Sequence, residues 1–343
     1  MKIVRRDTAA IILSASILSP LSYQASAQEK SWTDVVTAAK NEKTVVFYTG
    51  AVANKCVDAI INDFRNKYGI DVQSLKARGG ELLERIRVEQ STSRFVADVE
   101  WNGPPPIFIQ SKAGALEPLG KLPNLANLRQ GVSAEQYAVP VFANYVGVLV
   151  NGRLVKDEDV KSWKNLTDPK WKGKLVSDQL DVMSNGNIWF DVTRKAFGDT
   201  FHQGIANNNP LMARDLGVVQ RSVATGERLI YINQDAADAF AAKGLPVRWV
   251  VPQEGAPFYY AKAAVLKNAP HPNAARLFIN HLLDTKSQLA CAAEGMSPVV
   301  NGVVEKVDPS VRHFIEVKNL GEQSPDPAVI GSAIEAAKTI YKK

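Results

Sequence analysis

The sequence predicts an α/β protein with parallel strand pairing. Two observations carry the prediction: the order strand, helix, strand, helix, strand between residues 44 and 101, and its renewal after residue 174. Composition agrees. The chain has 343 residues, 45% hydrophobic and 22% charged, which excludes disordered, collagen-like and coiled-coil chains. The length suggests about two domains and is enough to bury a core without staples.

Taken in order, Thr44 to Tyr48 is a β-branched and aromatic run. Val57, Ile60, Ile61, Phe64 and Tyr68 follow at the spacing of one helical face. Ile70 to Leu75 reads as the next strand, and Gly79-Gly80 opens a stretch of helix formers. Ala97 to Trp101 is a third strand, ended by Asn102-Gly103-Pro104-Pro105-Pro106, which reads as a turn or loop. Gln136 to Asn151 is long, extended and apolar, and suits a strand passing between two lobes. Beyond it come strands at Lys174 to Ser177 and Arg228 to Asn233, with a helix near Asn187 to Phe197. Pro246 to Pro252 is a strand, and Tyr259 to Leu266 is a second crossing strand. Pro270 and Pro272 precede a helix over Asn273 to Leu283. A last helix is marked by Ile330, Ile334, Ala337 and Tyr341.

The N-terminus has the pattern of an export signal. Lys2, Arg5 and Arg6 are basic, Ala9 to Leu18 is apolar, and Ala25-Ser26-Ala27 has the small residues of a cleavage site. The apolar run is too short to span a bilayer, which needs about 20 residues. Removing residues 1–27, with Lys2, Arg5, Arg6 and Asp7, leaves 316 residues and lowers the net charge from +6 to +4. So small a charge on so long a chain is no footprint for nucleic acid. The densest basic cluster, Lys170, Lys172 and Lys174 around Trp171, reads as a solvated turn. The expected location is the periplasm.

Two cysteines remain, Cys56 and Cys291. Export permits a disulfide, and the spacing leaves open a bridge or two buried thiols. The sequence holds no zinc spacing and none of the nucleophile-elbow, metalloprotease, phosphate-loop or dinucleotide motifs. It is therefore read as a non-enzyme without cofactor. The histidines, His202, His271, His281 and His313, read as surface or packing residues.

Six segments occur in order: VVFYTG (Val45–Gly50), ARGGELLERIRVE (Ala77–Glu89), ADVEWNG (Ala97–Gly103), LTDPKWKGKLVSD (Leu166–Asp178), ATGERLIYIN (Ala224–Asn233) and the run from Pro252 to Asp284. Together they resemble the extracellular solute-binding proteins of bacterial ABC importers, in the branch that holds ferric-ion, phosphonate, thiamine and sugar-phosphate receptors. The resemblance spans nearly all of the mature chain. It implies a two-lobed periplasmic-binding-protein fold with a hinge and a ligand cleft between the lobes. Residues 28–140 plus about 252–310 would form one lobe, and 141–251 plus about 311–343 the other. The implied partners are a small-molecule ligand and a membrane permease with its ATPase, with the receptor a monomer.

Ligand loops are expected beyond the carboxyl ends of the strands. Tyr48, Thr49 and Gly50 offer a hydroxyl and backbone N–H groups. Arg78, Gly79 and Gly80 place a guanidinium at a helix start, where N–H groups are unpaired. Trp101 and Asn102 end the third strand. Ser184, Asn185 and Gly186 resemble the short loop that holds an anion in ferric-binding members. Gln234 and Asp235 stand where those members carry adjacent tyrosines. Tyr259 lies one strand further on. These residues favour a small anionic or zwitterionic organic ligand: a phosphonate, organophosphate or carboxylate at Arg78, with an amino group at Asp235. A ferric ion held by Asp235, Tyr259 and a bound anion is the alternative.

Overall fold

The computed structural model describes Met1 and residues 31–51 and 55–342. The predicted export signal therefore lies, Met1 apart, outside the described residues. The elements, in order, are α1 (Trp32–Glu42), β1 (Thr44–Thr49), α2 (Cys56–Tyr68), β2 (Asp71–Lys76), α3 (Gly79–Ser91), β3 (Val99–Asn102), α4 (Pro104–Lys112), β4 (Leu116–Glu117) and β5 (Ala138–Asn151). Then come β6 (Leu175–Asp178), α5 (Asn185–Asn207), β7 (Leu211–Ala213), α6 (Leu216–Thr225), β8 (Ile230–Asp235), α7 (Ala236–Ala241), β9 (Val247–Val250) and β10 (Ala256–Leu266). The chain ends with α8 (Pro272–Leu282), α9 (Thr285–Ala292), β11 (Ser297–Pro298), α10 (Pro309–Ile315), β12 (Asn319–Glu322) and α11 (Pro327–Ile340). No helix among the described residues is long and apolar enough to cross a membrane.

The strands run in the order β2-β1-β3-β10-β5-β8-β6-β7. The β2-β1-β3 and β8-β6-β7 groups are parallel, as the alternation predicts. Between them, β10 and β5 pair antiparallel, Tyr259 opposite Asn144 and Ala264 opposite Ala138. Strand β5 belongs to both halves. Its first half pairs with β10, and its second half pairs with β8 and β9. All 14 of its residues are buried, which is why the sequence there is a continuous apolar run rather than an alternating one.

Each half has its own core. Phe47, Phe64, Trp101, Phe142 and Phe278 anchor the first. Trp163, Trp171, Trp189 and Phe190 anchor the second. Helix α8 illustrates how the sequence builds one of them. Pro272 starts it, Glu42 accepts hydrogen bonds from the N–H groups of Asn273 and Ala274, and Leu277, Phe278, Ile279 and Leu282 are buried. Each such side chain contributes about 1.5–3 kcal/mol on burial. A disulfide joins Cys56 at the start of α2 to Cys291 near the end of α9. His202 and His281 are fully buried, His271 hydrogen-bonds Asp98, and His313 lies against the Phe314 ring at a tilt of 41°.

Two readings of the sequence change. The Asn102–Pro106 segment is not a loop throughout, because α4 begins at Pro104. Proline lacks an N–H that the first helical turn does not use, so consecutive prolines can open a helix. The helix predicted near Asn187 to Phe197 is longer, reaching Asn207 across a break at Gly198, whose φ is 77°.

Candidate functional site

A cavity of about 710 Å³ opens where the strand ends of the two halves face each other. The first half supplies Gly50 after β1, Arg78, Gly79 and Gly80 at the start of α3, Trp101 and Asn102 ending β3, and the prolines of α4. The second half supplies Asp178 ending β6, Met183, Ser184 and Asn185 before and in the first turn of α5, Arg214 after β7, Asp235 ending β8, and Asp238 in α7. Asn144 of β5 and Tyr259 of β10, paired in register, close the side between them.

On the first wall, Arg78 is the N-cap of α3. A guanidinium has no acceptor to offer the first N–H groups of the helix, so only the backbone N–H of Arg78 itself is satisfied, by Glu81 Oε2 at 3.2 Å. The Arg78 side chain is exposed. Asn102 is committed to structure. Its amide donates to Glu100 Oε1 at 2.7 Å and to the Gly79 carbonyl at 3.1 Å, and its oxygen accepts from the Gly103 N–H at 2.8 Å. A Cβ on Gly79 would stand 2.4 Å from that oxygen, so a larger residue there would displace the Asn102 amide from these bonds. Trp101 is 2% exposed and stacks with Phe47 and Phe142.

The second wall is acidic. Asp235 is buried; its Oδ1 accepts from the Ala237 N–H at 2.9 Å, capping α7, and its Oδ2 has no partner. Burial and the Asp238 carboxylate push Asp235 up to about 8. Burial and Asp178 raise Asp238 to about 6. Asp178 is also raised by burial, against hydrogen bonds from the backbone of Gln179, Gly186 and Asn185. Those bonds place the Asp178 carboxylate at the N-terminus of α5. Tyr259 is held protonated well above the ordinary phenol range by burial and by Asp235 and Asp238. Arg214 donates to the neutral Gln179 Oε1 at 2.5 Å, so its charge is not neutralised there.

Ten sequence-predicted residues therefore line one cavity: Gly50, Arg78, Gly79, Gly80, Trp101, Asn102, Ser184, Asn185, Asp235 and Tyr259. Four do not. The Tyr48 hydroxyl donates to Glu89 and accepts from Arg85 behind the sheet. Thr49 is fully buried and its hydroxyl accepts from the Ala51 N–H. Gln234 is fully buried beside Gln220. Gly186 packs against backbone, and a Cβ there would stand 2.5 Å from the Gln179 carbonyl oxygen. The reading missed Asp178, Asp238, Arg214, Asn144 and the three prolines. Asp178 was within reach, since it ends a strand recognised in the sequence. Arg214 was not, because it follows a strand of three residues.

The model of a family described as bacterial extracellular solute-binding proteins matches residues 59–312. The chain is 25% identical over 291 residues to an uncharacterized protein of Haemophilus influenzae, covering 76% of this chain and 79% of that one. Among solved structures, iron-bound HitA from Pseudomonas aeruginosa superposes with a TM-score of 0.69 at 24% identity, covering 87% of this chain and 99% of HitA. FutA from Trichodesmium, in complex with iron and citrate, gives 0.69 at 22% identity, with 88% and 100% covered. The apo ferric ion-binding protein A of Pasteurella haemolytica gives 0.70 at 16% identity, with 87% and 96% covered. At these identities the structural likeness establishes the two-lobed fold and leaves the ligand to the site. With the family model spanning most of the described chain, the protein belongs to the bacterial extracellular solute-binding proteins.

Proposed function

We propose that the protein is the periplasmic receptor of an ABC importer. Its cargo is a small organic molecule with an anionic end, of the phosphonate, organophosphate or carboxylate class, and a cationic or hydrogen-bond-donating end. The observation that supports this is the opposition across the cavity. Arg78 makes no side-chain hydrogen bond or ion pair with a described residue, whereas the facing wall holds Asp235 with a buried, unpartnered oxygen. A guanidinium beside a glycine-rich helix start suits an oxyanion. A buried carboxylate oxygen suits a donor, since leaving it unmade costs about 1–3 kcal/mol.

Residues 28–140 with about 252–310 form one lobe in this reading, and 141–251 with about 311–343 the other. The lobes close on the ligand by bending at β5 and β10, and a permease with its ATPase receives the closed form. The receptor acts as a monomer, needs no cofactor and does no chemistry on its cargo.

A ferric reading has one observation in its favour. Asp235 and Tyr259 line the same cavity, and β5 pairs Asn144 with Tyr259 and Val146 with Asp235. Against it, no three His, Cys, Asp or Glu side chains among the described residues are grouped to hold a metal ion. Native mass spectrometry of the protein as purified, followed by calorimetry against phosphonates, organophosphates and amino acids, separates the two. Arg78→Ala is expected to weaken an anionic ligand about 10- to 100-fold, the value of charged hydrogen bonds. Asp235→Ala is expected to weaken ligands that carry an amine. Unchanged affinity in both variants would refute the assignment, and a visible band bleached by a chelator would select the ferric reading.

A further inference from the structure

The cavity has a third kind of wall, which neither charged end explains. Helix α4 begins with Pro104, Pro105 and Pro106 at the cavity. A helix start normally presents N–H donors, but proline has none. This start is therefore donor-free hydrocarbon held in rigid rings. The other half contributes Val182, Met183 and Ile188. Met183 is 54% exposed and lines the same cavity as Asp178 and Asp235. None of these six side chains carries a hydrogen-bonding group of any strength. The three prolines and Ile188 are buried and Val182 is half-buried, so a ligand with charged ends alone would leave chiefly Met183 facing water.

We infer that the ligand carries a flat apolar part, an aryl ring, in addition to its anionic and donor ends. The inference rests on the proposed function and narrows the ligand class of the same site. Proline rings and a thioether are suited to the faces and edges of an aromatic ring, and methionine adapts its shape to it. Apolar contact of this kind adds affinity without competing for Arg78 or Asp235. A tenfold gain is about 1.4 kcal/mol, which at about 25 cal/mol per Å² requires only about 56 Å² of apolar surface removed from water.

The test compares two probes that share the phosphonate, the alkylammonium and the spacing between them and differ in the ring: 2-aminoethylphosphonate and 2-amino-1-phenylethylphosphonate. Each is titrated by calorimetry into the mature protein and into Met183→Asn, a change at an exposed side chain. The expected result is at least tenfold tighter binding of the aryl probe. In Met183→Asn the aryl probe should lose severalfold more affinity than the alkyl probe. Equal affinity for the two probes would overturn the inference and leave the proposed function standing. An equal loss for both probes in Met183→Asn would also overturn it. Binding of neither probe would count against the proposed function itself, and the inference would fall with it.

Discussion

The two walls of the cavity use the same device, a helix that starts at the end of a strand, and finish it differently. In the second half the helix starts are occupied by the chain's own carboxylates. Asp178 sits at α5 and Asp235 caps α7. In the first half, α3 starts at Arg78, which has nothing to cap it with, and α4 starts with prolines, which need no cap. The positive end of a helix dipole attracts an anion. Where the chain places its own carboxyl group there, the wall is left with spare acceptors. At α3, where it does not, the wall is left with spare donors, while the prolines of α4 offer none. The polarity of the cavity thus follows from which helix starts are filled, more than from net charge.

The largest test of this contrast concerns how each wall is held. The first half carries the disulfide between α2 and α9, and Met296 next to it lines the cavity. The second half has no cysteine. Replacing both cysteines by serine is expected to cost about 2–4 kcal/mol, read by denaturant unfolding. Hydrogen exchange should place the loss in α2 and α9 with α5 and α7 unchanged. An even loss across both halves would break the comparison.

A smaller effect separates the glycines. Gly186→Ala pushes a Cβ into the Gln179 and Asp178 carbonyls and is expected to cost about 1–3 kcal/mol. Gly80→Ala meets nothing within 4 Å and is expected to be neutral or stabilising, as helix propensity favours alanine. Equal melting temperatures for the two variants would contradict the reading of α5 as tightly closed and α3 as open.

The smallest effect is on pH dependence. Asp235 and Asp238 titrate in the folded protein near 8 and 6, above the ordinary carboxylate value of about 3.9. The folded state therefore holds more protons than the unfolded one between those values, and stability falls as pH rises through them. Glu100, raised by burial to about 7, acts in the same sense in the first half. His202, lowered to about 3 by burial, opposes them only below its unfolded value of about 6.5. Between pH 7 and 9 the ligand-free protein should lose melting temperature as pH rises, and Asp235→Asn should reduce that slope without abolishing it. An unchanged slope would remove Asp235 from the account.

Much of this was legible in the sequence because it depends on local pattern. The TVVFY run, the two crossing strands and the helix after Pro272 each declare themselves by period and punctuation. The cavity loops at Gly79-Gly80 and Asp235 follow from the rule that ligands meet the carboxyl ends of strands. What could not be read was pairwise. Nothing in Asn102 says that its amide is spent on Glu100 and Gly79, or that Gly186 is needed by a carbonyl. Strand alternation explains another miss, since Tyr48 precedes Thr49 and Gly50 yet faces the opposite side of β1 from Phe47, where Glu89 and Arg85 receive it. The prolines of α4 misled because the same residue that ends a helix can begin one.

The position of β10 also governs the order in which the chain can assemble. Strand β3 pairs with β10, and the first half of β5 also pairs with β10, so the first sheet lacks its middle until residue 266 has been made. Strands β1, β2 and β3 emerge early with an open edge, and the disulfide partner of Cys56 comes later still, at Cys291. Long-range pairing of this kind makes folding slow. A chain that is synthesised from its N-terminus therefore cannot finish its first half from the first part of its sequence, and that half remains incompletely folded through most of the chain's synthesis.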